Sequence, residues 1–137
     1  MTTIFAKYVG GLRTEAVHLG SGSIIQTDAP KDNQGKGEDF SPTDLLAASL
    51  GCCMMTIAGI AARTHHFDID GTTIEITKKM SQTPPRKVNE IELSFFFPDR
   101  DYSDKEKRII ETAIRTCPVS LSLHPELKQS IILKYKS

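Results

Sequence analysis

The order of periodic segments along the chain predicts an α+β fold with antiparallel sheets. Three observations carry that expectation. Strand patterns come in runs joined by hairpin-length connections; only two long segments repeat at helical spacing; and the first of these, Leu45 to Ala62, contains no charged residue. The predicted order is βββ–α–ββ–α–β, and 137 residues fit a single domain spanning 1–137.

Residues 2–8 and 12–19 read as two strands joined at Gly10-Gly11, with a short third strand at 23–27. Residues 28–39 are polar, rich in loop formers and without a period, so a loop is expected. Ser41-Pro42-Thr43-Asp44 then supplies an N-cap serine, a proline at N1 and an acid at N3. In the helix that follows, Leu46, Leu50, Cys53, Ile57 and Ile60 share one stripe, whereas Ala48, Cys52, Thr56 and Gly59 form a small-residue face. Residues 72–79 alternate, and Ile91, Leu93, Phe95 and Phe97 share a face of a longer strand. Ser103 and Glu106 are spaced as a capping box for a second helix, whose stripe runs Ile109, Ile110, Ala113, Ile114, Cys117 up to Pro118. A short helical turn within 120–126 and a final strand at 130–136 complete the order.

Seventeen basic and seventeen acidic residues cancel. Balanced charge argues against nucleic acid or an anionic membrane surface as the main partner. The first residues contain no apolar run of the signal-peptide type, and an odd number of cysteines fits a reducing compartment, so a cytoplasmic setting is expected. The uncharged stretch 45–62 just reaches transmembrane length. Alanine, glycine, serine and threonine dilute it and no aromatic belt flanks it, so the expectation is a buried helix and no membrane partner. A chain this small rarely surrounds such a helix alone, which points to a second subunit.

The cysteines are the residues best placed to carry chemistry. Cys52 and Cys53 are adjacent, and neighbouring Cα atoms lie about 3.8 Å apart, below the roughly 4.4–6.8 Å that a relaxed disulfide spans. Cys117 is therefore the natural partner of one of them. A thiol at a helix C-terminus forms a thiolate reluctantly, which suits Cys117 to resolving a sulfenic acid made elsewhere. An apolar mid-helix site also works against thiolate formation, so Cys53 reacts only if the fold brings in a cation. Arg13, just after the glycine turn, is the candidate, and Asp44 could orient its guanidinium. Each residue has a plainer reading: a buried cysteine packs as a small hydrophobe, a strand arginine is solvated, and an acid at N3 simply stabilises a helix start. Cys52 reads as structural.

Four histidines and three cysteines invite a metal, but no C-x₂₋₄-C or H-x₃₋₅-H spacing occurs, and none is expected.

The stretch Phe40-Ser41-Pro42-Thr43-Asp44-Leu45-Leu46-Ala47-Ala48-Ser49-Leu50-Gly51-Cys52-Cys53, with Thr116-Cys117-Pro118-Val119-Ser120 later, resembles the OsmC/Ohr family of osmotically inducible and organic hydroperoxide resistance proteins. The Gly10-Gly11 turn, Arg13 and the strand order fit it too. The resemblance implies an OsmC-like fold, with sheets wrapped around a long central helix in an intertwined homodimer. It also implies a thiol peroxidase that reduces organic hydroperoxides to alcohols through a Cys53 sulfenic acid and a Cys53–Cys117 disulfide. Arg13 would stabilise the thiolate, and an external dithiol would replace any bound cofactor. Hydroperoxidases of the family carry glutamate directly after the helix-opening proline, where this chain has Thr43. The alternative is a non-enzymatic protein that binds an apolar small molecule in the same pocket.

Overall fold

A computed structural model describes residues 1–136. Ser137, the last residue of the expected domain, lies outside the described residues. The chain divides into two compact units, Met1–Leu46 and Ala47–Ser137.

The first unit is a three-stranded antiparallel sheet of β1 (Ile4–Gly10), β2 (Arg13–His18) and β3 (Ile24–Asp28), in that order. Gly10 and Gly11 both adopt positive φ, +93° and +63°, which closes the β1–β2 hairpin where a side chain would be strained. In the β2–β3 register Arg13 stands opposite Asp28 and Glu15 opposite Gln26. The strands bury little: Ile4, Phe5, Tyr8, Val9, Ile24 and Ile25 are all exposed. The loop expected at 28–39 begins one residue later, since Asp28 closes β3, and contains one 3₁₀ turn at Lys31–Asn33.

The long helix α1 (Pro42–Thr64) begins at the cap read from the sequence. The Ser41 N–H donates to the Asp44 carboxylate and the Asp44 N–H to Ser41 Oγ, each at 3.0 Å. The buried face of α1 differs from the expected one. It is Ala47, Leu50, Gly51, Met54, Ala58 and Ala62, while Cys53 and Ile57 are half-buried and Ile60 is exposed. The reason is compositional. A helix apolar on every side lacks a polar face to fix its rotation, and the sheet selects the small residues because they admit closer approach. A Cβ on Gly51 would lie 2.6 Å from Ile76 Cδ1 and 2.9 Å from Ile74 Cδ1. By length and composition α1 could also cross a membrane, a test that the core helix of a soluble protein passes equally.

The second sheet has the order β4 (Thr73–Met80), β5 (Val88–Phe96), β6 (Lys128–Lys134). β4 and β5 are antiparallel, but β6 runs parallel to β5, a departure from the all-antiparallel expectation. The chain reaches β6 only after α2 (Asp104–Arg115) and α3 (Pro118–Ser122), and a helical crossover of that kind is what a parallel pair requires. Alternation along β5 holds as read: Ile91, Leu93, Phe95 and Phe97 are buried and form the core with Leu50, Met54, Ile110 and Ile114. The Ser103–Glu106 capping box opens α2. Beyond β5, Phe97 stacks on Tyr135 at 4.6 Å between ring centroids and meets Tyr102 edge-on. Burial pushes the Tyr135 hydroxyl up to about 12.

Candidate functional site

Within the second unit two elements bring together a pair of thiols. Cys53 comes from the middle of α1, half-buried; Cys117 comes from the link between α2 and α3 and is 0% exposed. Cys53 is near enough to Cys117 to act on its thiol. Cys52, one residue earlier, points about 100° away around the helix and is exposed. The thiol that neighbours Cys117 is thus Cys53, while Cys52 is exposed.

Cys117 does not end a helix, and this corrects the expected electrostatics. α2 stops at Arg115 with Thr116 as its C-cap, and Cys117 is the N-cap of α3. Pro118 stops the first helix and occupies the first turn of the next, where its missing N–H costs nothing. The Ser120 N–H donates to Cys117 Sγ at 3.3 Å. Burial pushes the Cys117 thiol above its ordinary value, the Ser120 N–H pulls it back, and the neighbouring Cys53 side chain pushes it up further. The net direction matches the expected reluctant thiolate, but desolvation is its cause, not a helix C-terminus. Ser120 is itself latched to β6: Gln129 Nε2 donates to the Ser120 carbonyl at 3.2 Å, and Ser120 Oγ donates to Gln129 Oε1 at 2.6 Å.

An apolar groove opens about one helical turn after Cys53 and one before Cys117. Ile57, Ile60 and Ala61 of α1 face Ile109, Thr112 and Ala113 of α2 around about 440 Å³, with His65 and Arg108 at the rim. It is large enough for a small apolar molecule.

In the first unit, Arg13 is held between two carboxylates. Its guanidinium donates to Asp28 Oδ2 at 3.4 Å and pairs with Glu38. Asp28 is fully buried. The Glu38 N–H donates to its carboxylate at 3.0 Å, and with Arg13 beside it the carboxyl is held below its ordinary 3.8 against the opposing effect of burial. Asp44, expected beside Arg13 as its orienting acid, has its carboxylate at the Ser41 N–H. Sequence reasoning missed Asp28, Glu38 and Ser120. A signal for Asp28 existed: a tight connection between β2 and β3 puts position 28 across from Arg13. Glu38 lies in an aperiodic loop, and nothing in the sequence marks it. Among the described residues no cluster of three or more histidines, cysteines and acids could hold a metal ion.

The comparisons agree on the fold. A crystal structure from Psychrobacter arcticus 273-4, described as a candidate osmotic stress induced and detoxification response protein, is 51% identical over 98% of this chain and 96% of that one, with a TM-score of 0.92. An organic hydroperoxide resistance protein OsmC from Legionella pneumophila is 16% identical over 98% of each chain, with a TM-score of 0.75. One from Elizabethkingia anophelis is 20% identical over 99% of this chain and 98% of that one, also with a TM-score of 0.75. At those identities the last two speak to fold alone. No curated protein matches the chain. The family model for OsmC-like proteins matches residues 35–131, a span that holds both facing thiols, the capped start of α1 and the whole second sheet as far as Ile131. On that match the chain belongs to the OsmC-like protein family.

Proposed function

We propose that the chain is a stress-related thiol peroxidase that reduces organic hydroperoxides to alcohols. The observation that carries this reading is the pair of neighbouring thiols, one half-exposed and one buried, on separate elements of one unit. Cys53 attacks as the thiolate on the outer peroxide oxygen. The O–O bond breaks, the alkoxide takes a proton and leaves as the alcohol, and Cys53 becomes a sulfenic acid. Cys117, already within reach, attacks that sulfur; water leaves and a Cys53–Cys117 disulfide remains. A dithiol then restores both thiols, and no bound cofactor takes part. Arg13 supplies the positive charge that favours the Cys53 thiolate. Asp28 and Glu38 orient its guanidinium, with Asp44 as a further orienting acid. Names of structural relatives, organic hydroperoxide resistance proteins among them, support the reaction class. The working form is a cytoplasmic homodimer.

The test is single-turnover titration of reduced protein with an alkyl hydroperoxide, following thiol loss and disulfide formation together. Loss of two thiols per peroxide with a Cys53–Cys117 bond is the expected result. Unchanged thiols would give the lead to a second reading, which the groove between α1 and α2 favours: binding of an apolar small molecule without turnover.

A further inference from the structure

A disulfide offers a reductant two sulfurs, and here they are unequal. Cys117 is 0% exposed, with the Ser120 N–H on its sulfur. Cys53, on α1, is only half-buried. Thiol–disulfide exchange requires the incoming thiolate to reach one sulfur while the other departs, so access to each sulfur governs which bond forms. We propose that the dithiol reductant attacks Cys53 Sγ, so that the mixed disulfide forms on Cys53 and Cys117 departs toward the waiting Ser120 N–H. This inference rests on the proposed function, in which the Cys53–Cys117 disulfide is the oxidised state.

The electron count closes. The reductant thiol gives up its proton and bonds through sulfur to Cys53 Sγ. The Cys53–Cys117 bond breaks, its electron pair goes to Cys117 Sγ, and that sulfur takes up a proton. The second thiol of the same reductant then attacks the reductant sulfur of the mixed disulfide. Cys53 is released, and the reductant departs as its own disulfide after giving two electrons.

Leaving-group chemistry alone points the other way. Exchange runs faster when the departing thiol ionises readily, and burial makes Cys117 the poorer leaving group. Two features outweigh this. A fully enclosed sulfur offers no line of approach, whereas an unfavourable leaving group only slows the step. And the Ser120 N–H, fixed by the Gln129 latch, already donates to Cys117 Sγ at 3.3 Å and so stabilises the charge that develops there. Hydroperoxide and reductant therefore use one entrance, at Cys53, in turn.

The experiment uses the full chain with Cys52→Ser, which removes the exposed third thiol. The protein is oxidised either with an alkyl hydroperoxide or with diamide, treated briefly with glutathione, quenched in acid, and labelled with N-ethylmaleimide. Glutathione has one thiol and cannot complete the second step, so peptide mass mapping reads where it stopped. The expected result is glutathione on Cys53 and maleimide on Cys117, in about tenfold excess over the reverse. Glutathione on Cys117, or on both equally, would overturn the inference and leave the peroxidase reading intact. A disulfide formed by diamide but not by hydroperoxide would remove the peroxidase reading while the adduct still decides the point of attack. No disulfide with either oxidant would overturn both.

Discussion

Arg13 shows how much a single side chain depends on neighbours far along the chain. A guanidinium held by Asp28 and Glu38 is a fixed charge. If that charge supports the Cys53 thiolate, Arg13→Ala should slow alkylation of Cys53 near neutral pH by about tenfold while the circular dichroism spectrum stays unchanged. An unaltered rate would take Arg13 out of the site. Asp28 sets a pH limit on the same arrangement. Its carboxyl is held below 3.8 in the folded chain, so its contribution to stability is complete above that value and is lost as pH falls through the lowered one. Denaturant midpoints should therefore fall below about pH 4, and Asp28→Asn should flatten that fall. A wild-type curve matching that of Asp28→Asn would show the carboxylate to be without effect. At this scale the sequence named Cys53, Cys117 and Arg13 because helix spacing and turn glycines mark them. It could not name Glu38, whose role comes from a loop without a period, nor the cap at Cys117, since a proline stops one helix and starts another with the same letters.

Among the elements, α1 was readable in its bounds but not in its rotation. Its start is written in Ser41, Pro42 and Asp44; its buried face was chosen by the second sheet. Two glycines on the helix make opposite forecasts. Gly51→Ala gains helix propensity but drives a methyl to 2.6 Å from Ile76 Cδ1 and 2.9 Å from Ile74 Cδ1 in the packed layer. Overpacking of this kind costs about 1–3 kcal/mol, so a net loss of about 1 kcal/mol should appear in urea melts. At Gly59 nothing lies within 4 Å of an added Cβ. There alanine should stabilise the isolated chain by up to about 1 kcal/mol. Equal shifts at the two sites would show that the α1–β4 contact is looser than the structure has it. The strands of the second sheet were legible from alternation alone, because β5 buries every other side chain. The parallel placement of β6 was not: strand direction is a property of the crossover, and no residue within 128–134 encodes it.

For the whole molecule, the apolar surface decides what the chain does in solution. Phe5 is 62% exposed, Tyr8 63%, Ile24 57% and Ile60 57%. Large apolar side chains left open on β1, on β3 and on α1 call for cover. A second copy is the proposed cover, so light scattering should give twice the chain mass at micromolar concentration, with a melting temperature that rises with concentration. A folded monomer whose melting is independent of concentration would end that proposal. Assembly by two copies is expected from the same property of 45–62 that hid the buried face: a helix without a charged side has no side that water favours.

The parallel pairing of β6 with β5 has a consequence for how the chain reaches its fold. β4 and β5 meet through a short connection, so their contacts are local, whereas Glu90 waits for Lys128 and Leu93 for Ile131, each 38 residues further along the chain. Until then one edge of β5, with Leu93 and Phe95 beside it, presents open hydrogen-bonding groups to any passing strand. β6, reached through α3, thus closes that edge of the second sheet. The same strand carries Gln129, so the Ser120 N–H that caps onto Cys117 is latched in place only when that edge has been sealed.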